Sequence, residues 1–128
     1  MTDFQIYNDT LGKVISENAF LADNFFTRLK GLLGKNSLCK NEALWITPCN
    51  SVHTFFMKFT IDVAFLDDEG YIIEVFPAMG PYRFSKIVKN ACSVVEFTEG
   101  KLADSGTKPG QRLLLQKCHK GEVKNAKR

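Results

Sequence analysis

Several features that would assign this 128-residue sequence to a common protein class are missing from it. The N-terminus has neither the cationic stretch nor the apolar core of a secretory signal. No apolar run approaches the roughly 20 residues that cross a bilayer. Repeats and low-complexity segments do not occur, and Gly31 and Gly34 belong to a predicted helix rather than to a phosphate loop between a strand and a helix. We therefore expect a soluble, cytoplasmic protein with no membrane span.

The sequence also lacks the closely spaced Cys and His residues that are typical of metal sites. Cys39, Cys49, Cys92 and Cys118 are even in number, but the sequence has no C-x-x-C or H-x-x-x-H pair that would fix two ligands locally. A chain of this length can build a core without disulfides, and the cytosol keeps thiols reduced. The sequence therefore predicts four reduced thiols, no bound metal and no cofactor.

Positive charge is scarce outside the last residues of the chain. The 17 Lys and Arg and 14 Asp and Glu give a net charge of +3, but residues 117–128 alone carry five cations and one anion. Residues 1–116 are left with 12 positive and 13 negative charges, a net charge of −1. Specific nucleic-acid binding is not predicted, because it needs cations concentrated on one face of the fold. We expect a single β-rich domain over 1–116 and a flexible basic tail over 117–128.

Short β-type runs separated by turn residues recur along the chain. These runs cover residues 4–7, 13–18, 43–46, 51–58, 61–66, 71–76, 91–97 and 112–116. The 67–70 segment predicts a hairpin loop, residues 99–105 a single helical turn closed by Gly106, and 23–33 an amphipathic helix with Asp23 as its N-cap. The pattern favours a mainly β (α+β) fold, a compact antiparallel β-barrel-like domain in which the helix packs on a curled sheet or small barrel, because closure removes exposed edges.

The densest group of reactive side chains lies between Cys49 and Asp62. Cys49 could act as a nucleophile if His53 removed its proton and Asp62 or Glu96 oriented the imidazole, which would suit acyl transfer or hydrolysis. The alternative is that Cys49 is a small buried apolar residue and His53 hydrogen-bonds a loop carbonyl. The second interpretation is favoured, because cysteine is among the most buried residue types.

Three segments of the sequence resemble the prokaryotic family called domain of unknown function 192. Residues 28–35 (RLKGLLGK) are similar to the family's R-x-x-G-L-M-G-R, and residues 52–67 (VHTFFMKFTIDVAFLD) to its H-T-x-F-M-[RK]-x-x-I-D-x-x-F-L-D. Residues 94–100 (VVEFTEG) parallel its V-L-E-L-x-x-G. The resemblance implies a compact, mainly antiparallel, barrel-like domain with a helix. It implies no reaction, substrate or cofactor.

Polar residues stand out in these otherwise apolar motifs, and they form the candidate ligand site. They are Arg28, His53, Lys58, Asp62 and Glu96. We expect a monomeric, non-enzymatic domain that binds a small polar or anionic ligand or a protein partner, with Arg28 and Lys58 supplying charge and His53 orientation. The alternative is a purely structural ion-pair cluster, in which Arg28 neutralises Asp62 or Glu96 and no ligand is bound.

Overall fold

The computed structural model describes residues 4–23, 38–39, 41–51, 59–81 and 85–118. These residues form one seven-stranded sheet and one short helix. The elements are β1 (Phe4–Asn8), β2 (Lys13–Ala22), β3 (Glu42–Ile46), β4 (Ile61–Leu66), β5 (Ile72–Met79), β6 (Ser93–Thr98), α1 (Lys101–Ser105) and β7 (Leu113–Lys117). The strand order is β5-β4-β6-β3-β2-β1-β7. Nothing helical in the described ranges has the length and apolar character needed to cross a bilayer.

The predicted mainly β fold is confirmed, and so are most of the predicted strands. Neighbouring strands are antiparallel except for β2 and β3, which run parallel. The predicted turn of helix is α1, and Gly106 ends it in the left-handed conformation. Three predicted segments lie mostly outside the described residues. They are residues 24–33 of the predicted 23–33 helix, residues 52–58 of the predicted 51–58 strand and residues 119–128 of the basic tail.

The sheet is not closed into a barrel, because it stays open between β5 and β7. The two edges meet at the isolated bridge between Tyr71 and Arg112 and at the backbone hydrogen bonds of Ile72 with Gly110 and Gln111. Beyond these contacts, β5 contains Pro77, which has no N–H to donate to a neighbouring strand. Proline is one of the devices that protect an exposed sheet edge. Closure is therefore not needed to prevent edge-to-edge association.

The hairpin between β4 and β5 brings the two edges together. Asp67 Oδ1 accepts hydrogen bonds from the backbone N–H groups of Glu69 and Tyr71, both at 2.9 Å, which fixes the turn. Gly70 then adopts φ +90°, and its carbonyl accepts the N–H of Leu113 at the start of β7. A Cβ at Gly70 would lie 2.5 Å from the Leu113 carbonyl oxygen. The backbones thus approach as closely as only glycine allows.

Two apolar clusters cover opposite faces of the central strands. Cluster 1 comprises Ala22, Leu38, Leu44, Ile46, Ile61, Val63, Phe65, Met79, Val88 and Val94. Cluster 2 comprises Ile6, Ile15, Ala19, Ala43, Ala64, Leu66, Ile72, Val95, Phe97, Leu102 and Leu113. Every residue of β4 and the first five residues of β6 are buried, so these strands read as continuous apolar runs rather than alternating ones. A polar side chain on either strand is therefore removed from water.

A buried amide network joins β1 to the loop after α1. Asn8 Nδ2 donates to Thr107 Oγ1 at 3.2 Å and to Gln111 Oε1 at 3.0 Å. Asn8 Oδ1 accepts the backbone N–H of Leu11 at 2.9 Å. The amide's two donors and its oxygen are all used, so this cluster stabilises the fold and leaves no unused group for a ligand.

The approach of the two edges predicts the effect of Gly70→Ala. The methyl group adds a clash with a backbone carbonyl to the strain of a positive φ, so we expect the free energy of unfolding to fall by about 2 kcal/mol or more. Urea denaturation measures it. Gly110→Ala is the matched control, since Gly110 has φ +93° and a methyl group there would meet no atom within 4 Å, and it should lose only about 1 kcal/mol. Equal losses in the two variants would contradict this account of the edge.

Candidate functional site

Three of the sequence-predicted site residues lie within the described ranges. Asp62 is on β4, Glu96 is on β6, and Cys49 follows β3. Arg28, His53 and Lys58 lie outside the described residues. The geometry of the candidate site therefore rests on the two carboxyl groups and the thiol.

Asp62 is buried and bonded to backbone on two sides. Its side chain is 1% exposed, Oδ1 accepts the Ala78 N–H at 2.9 Å, and Oδ2 accepts the Leu102 N–H at 3.0 Å. Ala78 belongs to a bulge in β5, where an extra residue and a φ of +56° take its N–H out of the regular ladder. Leu102 lies in the first turn of α1, where N–H groups have no partner within the helix. One carboxyl group thus satisfies donors from two elements.

Glu96 is buried to a similar degree but in a different environment. It is 5% exposed, and its neighbours across the sheet are Leu44 on β3 and Val63 on β4. Within the described part of the chain, no side chain or backbone group hydrogen-bonds or pairs with its carboxyl oxygens. Burial raises the pKa of the Glu96 carboxyl from its ordinary 4.5 to about 7, because water no longer stabilises the charged form. At neutral pH the group is therefore poised between acid and carboxylate.

The two carboxyl groups project from opposite faces of the sheet. Glu96 is in register with Val63 and Leu44, which belong to cluster 1. Asp62 is in register with Phe97, which belongs to cluster 2. Because paired residues of neighbouring strands share a face, a ligand held by Glu96 does not reach Asp62. The structure brings Asp62 to a helix start and a bulge, and Glu96 to an apolar face.

Cys49 lies in a loop beside the cluster 1 face. Its side chain is half-buried and packs against cluster 1, and its thiol donates to the Ser51 carbonyl oxygen at 3.0 Å. The thiol proton lies in this bond, and Cys49 can react as a nucleophile only after it has lost that proton. The neighbouring cavity measures about 290 Å³ and is lined by Pro48, Cys49, Asn50, Ala91 and Cys92. The sequence did not predict that Cys49 and Cys92 lie close together, since the spacing of the two residues matches no known motif.

The described residues contain no group of three or more His, Cys, Asp or Glu side chains that could hold a metal ion. All four cysteines are thiols. The described residues offer hydrogen bonding and proton exchange at Glu96 and thiol chemistry at the cavity.

Known proteins share both the motifs and the fold of this chain. The model of the domain of unknown function 192 family, described as "Uncharacterized ACR", matches residues 7–115. The chain belongs to this family. The expectation drawn from the three sequence motifs is thereby confirmed.

Two sequence relatives and one solved structure show what this chain resembles. A "UPF0127 protein" of Thermococcus sibiricus is 31% identical, over 77% of this chain and 71% of its own length. A second UPF0127 protein, from Pyrococcus furiosus, is 30% identical, over 83% of this chain and 93% of its own. A crystal structure of a protein of unknown function from Novosphingobium aromaticivorans superimposes with a TM-score of 0.74 at 18% identity, covering 88% of this chain and 83% of that one. That likeness shows the fold alone.

The two bonds of Asp62 predict the effect of Asp62→Asn. An amide has only one acceptor oxygen, so the N–H of Ala78 or Leu102 would face an NH₂ group. We expect a loss of about 2–3 kcal/mol in the free energy of unfolding, measured by urea denaturation. Asp68→Asn, in the exposed part of the hairpin turn, is the control and should change stability by less than about 0.5 kcal/mol. An Asp62→Asn variant as stable as wild type would show that these bonds contribute little.

The burial of Glu96 predicts a dependence of stability on pH. Between pH 4.5 and about 7 the native state holds a proton that the unfolded chain has released, so stability falls as pH rises through this window. The full effect is about 3 kcal/mol. Relative to wild type, Glu96→Gln should gain stability from pH 5 to pH 8 by this amount, measured by chemical denaturation at each pH.

The exposed Glu99 provides the control for that comparison. Glu99→Gln should follow the wild-type pH profile, because its carboxyl group meets water in both states. Parallel profiles for wild type and Glu96→Gln would show that Glu96 ionises in the folded protein as it does in the unfolded chain.

Proposed function

We propose that this protein is a non-enzymatic binding domain for a small anionic ligand, with Glu96 in the floor of the site on the cluster 1 face of the sheet. Arg28 and Lys58 supply positive charge, and His53 supplies a directional hydrogen bond. The observation that carries the proposal is the buried Glu96 carboxyl, which has no partner among the described residues.

An unpartnered carboxyl in an apolar sheet destabilises the empty protein. Transfer of a carboxyl group from water to an apolar face costs free energy, and the raised pKa of Glu96 reflects this cost. Leu or Val would pack between Leu44 and Val63 without this penalty. A ligand that accepts a hydrogen bond from Glu96 would explain why a carboxyl group, and not an apolar side chain, occupies this position. Ionisable groups with strongly shifted pKa values are concentrated at functional sites for this reason.

The positions of Arg28, His53 and Lys58 in the chain support a site on the same face of the sheet. Residues 52–58 contain His53 and Lys58, and the described residues at the two ends of this segment include Cys49 and Phe59, which both pack against cluster 1. Leu38, which follows the segment that contains Arg28, is a member of cluster 1. Described residues near both segments thus lie beside the face that carries Glu96.

The protonation state of Glu96 favours an anion over a cation. With its pKa raised to about 7, a large share of the group is the neutral acid at neutral pH and can donate a hydrogen bond. An anionic oxygen accepts this bond, and it stabilises the acid form further. Binding therefore takes up a proton, and affinity should fall about tenfold between pH 6 and pH 8 if only the acid form binds.

The proposal is tested with formate, acetate, succinate and inorganic phosphate as probes and glycerol as the neutral control. Thermal shifts of the full chain are measured at pH 6 and pH 8. At least one anion should raise the melting temperature of the wild type, and the rise should be larger at pH 6. No stabilisation by any of the anions would contradict the proposal.

Two substitutions of Glu96 distinguish the effect of its hydrogen-bond donor from the effect of its side-chain size. Glu96→Gln keeps a neutral hydrogen-bond donor, so it should bind the same anion at both pH values. Glu96→Leu removes the donor and should lose the shift, while Glu99→Gln should behave as wild type. Equal stabilisation of wild type and Glu96→Leu would place the anion elsewhere on the protein.

A further inference from the structure

Two cysteines that are far apart in the sequence line one cavity at the end of β3. Its walls come from two segments, with Pro48, Cys49 and Asn50 in one and Ala91 and Cys92 in the other. Cys92 is exposed, whereas Cys49 is half-buried. This pair takes no part in the proposed anion site and is independent of it.

Backbone hydrogen bonds hold the two walls in register. The Cys49 N–H donates to the Cys92 carbonyl oxygen at 3.0 Å, and the Val88 N–H donates to the Asn50 carbonyl oxygen at 2.9 Å. Thr47 Oγ1 also donates to the Cys92 carbonyl, at 3.3 Å, and the Cys92 N–H bonds to Leu66 at the end of β4. Four hydrogen bonds therefore fix where each cysteine backbone lies.

This spacing suits a disulfide bond. Residues joined by a backbone N–H to carbonyl bond have Cα atoms roughly 5 to 6 Å apart, which is within the range that disulfides span. Each thiol now points towards a carbonyl two residues away, Cys49 to Ser51 at 3.0 Å and Cys92 to Asn90 at 4.0 Å. A disulfide requires both sulfur atoms to leave these carbonyl groups by rotation about the Cα–Cβ bonds and to meet at the cavity that both residues line.

We propose that Cys92 and Cys49 form a hydroperoxide-reactive thiol pair that closes to an intramolecular disulfide. The exposed Cys92 thiolate attacks one oxygen of the hydroperoxide. An S–O bond forms and the O–O bond breaks. The hydroperoxide is reduced to an alcohol, or to water when it is hydrogen peroxide, and Cys92 is oxidised to a sulfenic acid.

Cys49 completes the reaction. Its thiolate attacks the Cys92 sulfur, an S–S bond forms, the S–O bond breaks and hydroxide leaves as water. The two thiol protons end in the alcohol and the water, so the hydroperoxide accepts both electrons and no other reductant is needed. A cellular dithiol reverses the change by exchange.

The test treats the full-length reduced protein with a small excess of hydrogen peroxide and then with iodoacetamide. Wild type should lose two of its four alkylatable thiols and two hydrogens in mass, and non-reducing peptide mapping should join residues 41–58 to residues 90–101. Cys39→Ser removes an exposed thiol outside the cavity and should leave the crosslink unchanged.

Substitution of each partner distinguishes their roles. Cys49→Ser should accumulate a Cys92 sulfenic acid that dimedone labels, with little label in wild type. Before oxidation, Cys49 in the Cys92→Ser variant should be alkylated to the same extent as Cys49 in wild type. Oxidation without a Cys49–Cys92 crosslink, or crosslinks to Cys39 or Cys118 in comparable amount, would overturn the proposal.

Discussion

Burial of the central strands on both faces is the constraint on which the rest of this structure depends. β4 and β6 lie between two apolar clusters, so a polar side chain on either strand must find a partner or become neutral. Asp62 finds partners, and by doing so it connects the β5 bulge to the start of α1. Glu96 has none among the described residues, and burial shifts its equilibrium towards the acid. The same constraint thus produces a structural carboxylate on one face and a proton-exchanging group on the other.

The difference between the two carboxyl groups limits the range of functions. A site that joined Asp62 and Glu96 would require both on one face, and the sheet register separates them. Asp62 also needs no cation from Arg28, since backbone N–H groups already stabilise its charge. These contacts favour the structural interpretation for Asp62. They leave Glu96 as the group of the pair that is available to a ligand.

Much of the fold could be predicted from the sequence, because turn residues and β-branched runs are local signals. The 67–70 hairpin and the helical turn ended by Gly106 are examples. The sequence could not decide between a curled sheet and a closed barrel, since the meeting of two sheet edges depends on long-range geometry that local patterns do not encode. Glu96 was found as a polar residue in an apolar motif. Its separation from Asp62 could not be found in this way, because motif positions do not reveal which face of a sheet a residue occupies until the register is known. The proximity of Cys49 and Cys92 likewise arises only from tertiary pairing.

The state of the Glu96 carboxyl group is the central claim, and it can be observed directly. NMR titration of protein labelled with ¹³C at the glutamate side-chain carboxyl follows each group separately, and the signal that is missing from Glu96→Gln identifies residue 96. A midpoint near 7 is the expected result. A midpoint near 4.5, the ordinary value of a solvated glutamate, would contradict the account.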